Sequence, residues 1–218
     1  MTLADQFPPF GLRIHCGELE LVPITDDVIP GLVELALDGI HAPDAMPFYV
    51  PWSTAPREEL GRNMAQFYWQ GRATFSPAAW SLHLAVRHSG ELVGCQDVST
   101  RDFAVTRTAE TGSWLASKHQ GHGIGTRMRQ TILAFAFDEL GATEMTSGAF
   151  TDNPASLAVS RKVGYRPNGV ERRQRRPGEL AQVQRLIVGP DDFRRGEPIT
   201  VTGIEAFRSF IGLDQADR

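Results

Sequence analysis

Apolar and polar positions change period several times along the chain. Leu19, Leu21 and Ile24 give a short alternating strand, and Val28, Leu32, Leu35 and Ala36 then recur at helical spacing behind Thr25 or Asp26 as an N-cap. A second helix is expected over 57–69. Trp80, Leu82, Leu84 and Val86 alternate with Ser81, His83, Ala85 and Arg87, which predicts a strand, turned at Ser89-Gly90 into another over 91–98. A strand over 106–115 precedes a Gly-rich turn and a long helix ending at Leu140-Gly141. In that helix Met128, Ile132, Phe135 and Ala136 form one stripe, broadened by Leu133, Phe137 and Leu140. The remaining elements are a strand over 144–150, a helix from Asn153 or Pro154 to Val163, and a hairpin of 165–176 with 179–188 around Pro177-Gly178. Hairpins interrupted by helices that return to the sheet predict an α/β (α+β) fold, one mixed sheet with helices on both faces.

Two segments stand apart from this pattern. Pro43, Pro47, Pro51 and Pro56 bar a continuous helix over 41–56 and hold Phe48, Tyr49 and Trp52 in turns able to line a pocket. Beyond Gly189, Ile199, Val201, Ile204, Phe207, Phe210 and Ile211 are too apolar for a free end. The extension 189–218 is therefore expected to dock on the body or on a partner subunit, as part of a single domain 1–218.

Composition narrows the function classes. A net charge of -4 lacks the basic footprint of a nucleic-acid binder, and no apolar run reaches membrane-spanning length. Cys16 and Cys95 have neither CxxC nor zinc-ligand spacing, and the N-terminus has an acidic residue where a targeting peptide would carry Lys or Arg. These features predict reduced thiols in a cytoplasmic protein. His83, His119 and His122 have no carboxylate or cysteine at ligand spacing, so no metal site is expected.

The Gly-rich turn carries the chemistry. Gln120-Gly121-His122-Gly123-Ile124-Gly125 lies between a strand and a helix start, where free N–H groups and the positive end of the helix dipole cradle an anion. A P-loop is excluded by the missing Gly-Lys-Ser/Thr, and a dinucleotide fingerprint by Thr126 at its third small position. The segment SWLASKHQGHGIGTRMRQTILAFAF resembles the coenzyme A motif of the GNAT acetyltransferases, with Gln120-x-x-Gly123-x-Gly125 as its loop. Asn153-Pro-Ala-Ser156 through Gly164-Tyr165 is similar to the second signature of the RimJ/RimL branch. The matching region is about 18–188. The segment MPFYVPW and the C-terminal extension resemble an actinobacterial subgroup proposed to use succinyl-CoA.

The resemblance implies a GNAT fold with about seven strands and a splayed strand pair that takes the acyl-CoA arm. It further implies that Gln120, Gly121 and the N–H groups of His122, Gly123, Ile124, Gly125 and Thr126 form the pyrophosphate loop. The strand ending at Leu115 would pair with the pantetheine amides, and Asn153 would bond the same arm. Glu110 is identified with the strand carboxylate that faces the acceptor and relays its proton. Ser156 is identified with the serine that touches the coenzyme sulfur and acts as general acid, with Tyr165 second in that role. The implied activity moves an acetyl or succinyl group from acetyl-CoA or succinyl-CoA to a primary amine, on a small molecule or a protein N-terminus, by direct transfer in a ternary complex. A homodimer or higher homo-oligomer is the expected assembly. The alternative is a non-catalytic acyl-CoA sensor or interaction module on the same fold. Glu171 and Arg172, Arg173, Arg175 and Arg176 lie on a solvated strand edge, with the capacity to attract a succinyl carboxylate.

Overall fold

A computed structural model describes residues 1–215. A short helix, Leu3–Gln6 (α1), is closed by a reciprocal cap between Thr2 and Asp5. Two short strands follow, Arg13–Cys16 (β1) and Leu19–Pro23 (β2), then helix Ile29–Asp38 (α2). This helix starts at Ile29 because Pro30 sits in its first turn, while Thr25 spends its hydroxyl on Asp27. Arg57–Ala73 (α3) runs four residues past the expected stop. Ala79–His88 (β3) and Glu91–Arg101 (β4) form a long hairpin. A helical turn, Phe103–Thr106 (α4), takes in the first residue of the segment 106–115 expected to be strand, and the strand itself is Thr108–Leu115 (β5).

Ile124–Ala134 (α5) then ends in a π-turn, Phe135–Glu139, in which the Leu140 N–H reaches the Phe135 carbonyl at 3.3 Å. Phe135, Ala136 and Phe137 are all buried there, so the widened turn puts successive apolar side chains inside. Glu144–Phe150 (β6), Pro154–Val163 (α6), Arg166–Arg176 (β7) and Glu179–Val188 (β8) follow. The chain closes with Thr200–Thr202 (β9) and Ile204–Phe210 (α7).

The strands form one sheet in the order β7-β8-β6-β5-β4-β3-β2-β1-β9. It has nine strands rather than about seven, because β1 and β9 extend one edge: Ile14 pairs with Leu21 on one side and Val201 on the other. The β5–β6 pair is parallel and all other neighbours are antiparallel. One face buries Ile14, Leu21, Leu84, Val98 and Met145 against α5 and α7. The other buries Ala85 and Cys95 under Leu32, Leu60, Met64 and Tyr68 of α2 and α3.

The tail docks on its own chain. Phe207, fully buried, meets Trp80 at 5.8 Å, and Phe210 meets Phe7 at 5.6 Å. Truncating a core Phe costs about 3–5 kcal/mol, so this contact alone anchors the extension. The end of the expected segment 189–218, residues 216–218, lies outside the described residues. Among the described residues no helix is long and apolar enough to cross a membrane.

Candidate active site

The site begins where the sheet comes apart. β5 and β6 pair over three rungs, the last joining Glu110 to Thr146, and β5 continues to Leu115 bonded to β4 alone. A gap therefore opens beside residues 111–115, and Gly112 and Ser113 are exposed along it. Side chains brace its closed end. The Ser147 hydroxyl donates to the Thr111 carbonyl at 3.3 Å, and Thr111 Oγ1 lies 3.1 Å from the Tyr165 hydroxyl. Burial pushes the Tyr165 phenol up, so it holds its proton at neutral pH.

On the α5 side of the gap lies the Gly-rich turn. Gly123 caps α5 at φ +80 with no side-chain cap, and among the described residues the N–H groups of 121–125 find no acceptor. Gly123 meets no atom within 4 Å of an added Cβ, so its requirement is the left-handed backbone itself. Gly125 differs: it is already helical, and an added Cβ would make ordinary contact with Leu115 at 3.5 Å. Gln120, read as part of this loop, donates to the Ile40 carbonyl at 2.6 Å and the Leu115 carbonyl at 2.9 Å, fastening the end of β5 to the 39–41 segment. Thr126 and His122 stand at the turn, His122 exposed and Thr126 half-buried.

α6 packs beside α5. Asn153 is its N-cap and accepts the Ser156 N–H at 3.1 Å, which leaves the Asn153 amide nitrogen free for another partner. The Ser156 hydroxyl is half-buried and makes no hydrogen bond among the described residues.

The opposite face of the sheet presents three cross-strand rows. Ala85, Cys95 and Trp114 lie under α2 and α3; His83, Asp97 and Gly112 come next; Ser81, Ser99, Glu110 and Thr146 form the floor of an open trough of about 800 Å³. Glu110 takes two hydrogen bonds from Arg185 of β8, at 3.1 and 3.0 Å. Those bonds push the Arg185 guanidinium further up, against a smaller opposing effect of burial. Arg185 Nη1 also reaches the Tyr49 hydroxyl at 3.4 Å, and Arg173 lies 4.4 Å over the Tyr49 ring. The proline-rich segment thus closes over this end of the gap. It can do so because position 148 is glycine: a Cβ there would sit 2.0 Å from the Tyr49 hydroxyl.

Arg185 was invisible to sequence reasoning, since its partner lies 75 residues away. The second row brings His83 beside a carboxylate and a thiol: its Nδ1 is 3.0 Å from Asp97 Oδ1, and the Cys95 thiol donates to the same oxygen at 3.2 Å. Strand register makes this cluster, and no spacing along the chain shows it. Burial, then Asp97, push the Cys95 thiol far above its ordinary range. Three of the β7 arginines of 172–176 are matched by acids, Arg173 by Glu171, Arg175 by Asp152 and Glu179, and Arg176 by Glu179, while Arg172 makes no ion pair among the described residues.

The sheet is thus opened between two parallel strands, with an uncapped helix start on one side of the gap and a carboxylate on the other. The family model for the acetyltransferase (GNAT) domain matches residues 18–166, and the chain belongs to that family of acyltransferases. It is similar to the YdaF protein of Bacillus subtilis, whose name assigns it to the ribosomal N-acetyltransferases, at 32% identity over 85 residues. That match spans 39% of this chain and 46% of YdaF, less than half of the relative. Mycobacterium smegmatis RimJ, solved with a CoA-disulfide, superposes with a TM-score of 0.67 at 18% identity, covering 91% of this chain and 92% of its own. RimL, a ribosomal L7/L12 alpha-N-protein acetyltransferase solved with coenzyme A, gives 0.62 at 18% identity, covering 81% and 96%.

Proposed function

We propose that the protein transfers an acetyl group from acetyl-CoA directly to a primary amine in a ternary complex, with a protein or peptide N-terminus as acceptor. The observation that carries this reading is the gap beyond the Glu110–Thr146 rung, open to the α5 start on one face and to the Glu110 trough on the other. N–H groups from His122 to Thr126 hold the pyrophosphate, and the free edge of β5 to Leu115 pairs with the pantetheine amides. The free amide of Asn153 bonds the same arm. The thioester then sits between Ser156, which protonates the sulfur, and Glu110, which receives the acceptor amine and passes on its proton through water. The open trough and its row of hydroxyls suit an extended chain better than a small enclosed amine, in line with the ribosomal relatives. Use of acyl-CoA and two unpaired, buried thiols favour a cytoplasmic setting.

We take acetyl as the donor because the arginines around Glu110 are already paired, Arg185 with Glu110 and Arg173 with Glu171, and a succinyl carboxylate must displace one of those acids to reach them. Arg101, which also lines the trough, makes no ion pair among the described residues and is the cation open to a succinyl carboxylate there. Competition binding of the two esters at low and high salt decides between them, and a succinyl advantage that fades with salt would reverse the assignment.

The test of the function is mass-spectrometric detection of transfer from each ester to a panel of N-terminal peptides and polyamines. Acetylated peptide is expected, with Glu110→Gln lowering turnover on the order of a hundredfold. Tight coenzyme binding without any product would make the chain an acyl-CoA sensor.

A further inference from the structure

One buried charge takes no part in the roles above. Arg129 of α5 is 4% exposed. Its Nη1 donates to the Ser147 hydroxyl of β6 at 3.2 Å and its Nη2 to the Ser113 hydroxyl of β5 at 3.1 Å. The Tyr165 ring lies 5.8 Å from the guanidinium carbon. The remaining nitrogen, Nε, is buried without a partner, and among the described residues no carboxylate pairs with this arginine. Glu110, near the closed end of the gap, is bound to Arg185. A buried guanidinium surrounded by neutral hydroxyls is strongly unfavourable, so such a charge persists in the fold at a cost in stability. Its position explains what it does: the fork spans the gap, one arm on each parting strand, beyond the last rung between them.

We propose that Arg129 is both the strut that keeps β5 and β6 apart and the charge that stabilises the departing coenzyme thiolate, an inference that rests on the acyl-CoA reading of this gap. In the transfer the amine nitrogen bonds to the thioester carbonyl carbon, the C–S bond breaks, and its electron pair remains on sulfur. The proton lost by the amine ends on sulfur, and Arg129 keeps its own protons throughout. A thioester threaded through the gap crosses the fork, so the sulfur anion forms against a cation that no carboxylate among the described residues neutralises. Ser156 delivers a proton; Arg129 lowers the cost of the anion that precedes it.

The test titrates the thiol of free coenzyme A bound to the protein, followed by thiolate absorbance in the ultraviolet, after calorimetry has established binding. Absence of binding would sink the coenzyme reading itself. With binding, the thiol of the wild-type complex is expected to titrate about one unit or more below that of free coenzyme A, a tenfold gain in thiolate. Arg129→Met should abolish the shift, and Arg129→Lys, which keeps the charge and loses the fork, should retain part of it. A merely structural strut would not move this titration. An unshifted thiol in the wild-type complex overturns the proposal even if Arg129→Met fails to fold, and a lowered thiol persisting in folded, coenzyme-bound Arg129→Met overturns it equally.

Discussion

Ser156 and Asn153 share one hydrogen bond, yet their substitutions should separate. Asn153→Ala removes a helix cap, which costs about 1 kcal/mol of stability whatever else the residue does. The Ser156 hydroxyl makes no hydrogen bond among the described residues, so Ser156→Ala should leave both stability and coenzyme affinity nearly unchanged. Turnover should fall on the order of a hundredfold if the hydroxyl protonates the sulfur. Equal losses of affinity and turnover would recast Ser156 as an anchor for the coenzyme arm. Glu110 and Ser156, the proposed carboxylate and hydroxyl of the site, were singled out in the sequence by resemblance, Ser156 within the Asn153-to-Tyr165 signature and Glu110 on the strand before the Gly-rich turn. Arg129 lies in the Gly-turn segment itself, three residues before Ile132 on the apolar stripe. A charge on a buried stripe is a signal in its own right, and the pattern of apolar residues alone passes over it.

The proline-rich segment and the Gly-rich turn govern opposite faces of the gap. Gly148→Ala places a methyl against the Tyr49 hydroxyl and the Arg185 guanidinium, so the Tyr49 side chain must move from its seat over β6. The amine KM should rise about tenfold or more while the coenzyme Kd holds, since the α5 side is untouched. An unchanged amine KM would remove the segment from the acceptor site. Gly123→Val, by contrast, forces a branched side chain into a left-handed backbone and should weaken coenzyme binding at least about tenfold, read by calorimetry. Elements announced by their own residues were legible: β6 alternates from Glu144 to Ala149, and α6 opens on Asn153-Pro154 and closes on Gly164. Those that exist through a neighbour were not. β1 and β9 are four and three residues long, β1 held between β2 and β9 and β9 held on β1, and the π-turn interrupts a helix whose apolar stripe runs on without a break.

Across the whole molecule, burial raises several groups that lose a proton when they ionise: the Cys95 thiol and the phenols of Tyr49, Tyr68 and Tyr165. Each folded value lies above the unfolded one, so the folded state binds more protons once pH passes the unfolded values, about 8.5 for a thiol and about 10 for a phenol. The stability these groups contribute is complete below that range and is lost as pH rises through it. Urea midpoints should therefore be level from neutral pH to about 8 and fall steeply beyond 9; a midpoint unchanged at pH 10 would mean these groups are hydrated in solution. The nine strands also behave as two panels: β1 to β5 with β9, and β6 to β8, meeting along three parallel rungs. As a mechanical object the molecule has a seam there. Pulled between β4 and β8 in an optical trap, it should part first along that line, at low force. Coenzyme A lying in the gap, its amides bonded to the edge of β5, would act as the stitch the polypeptide omits and move that rupture to higher force. A rupture force indifferent to saturating coenzyme would show that the two panels are held by the helices alone.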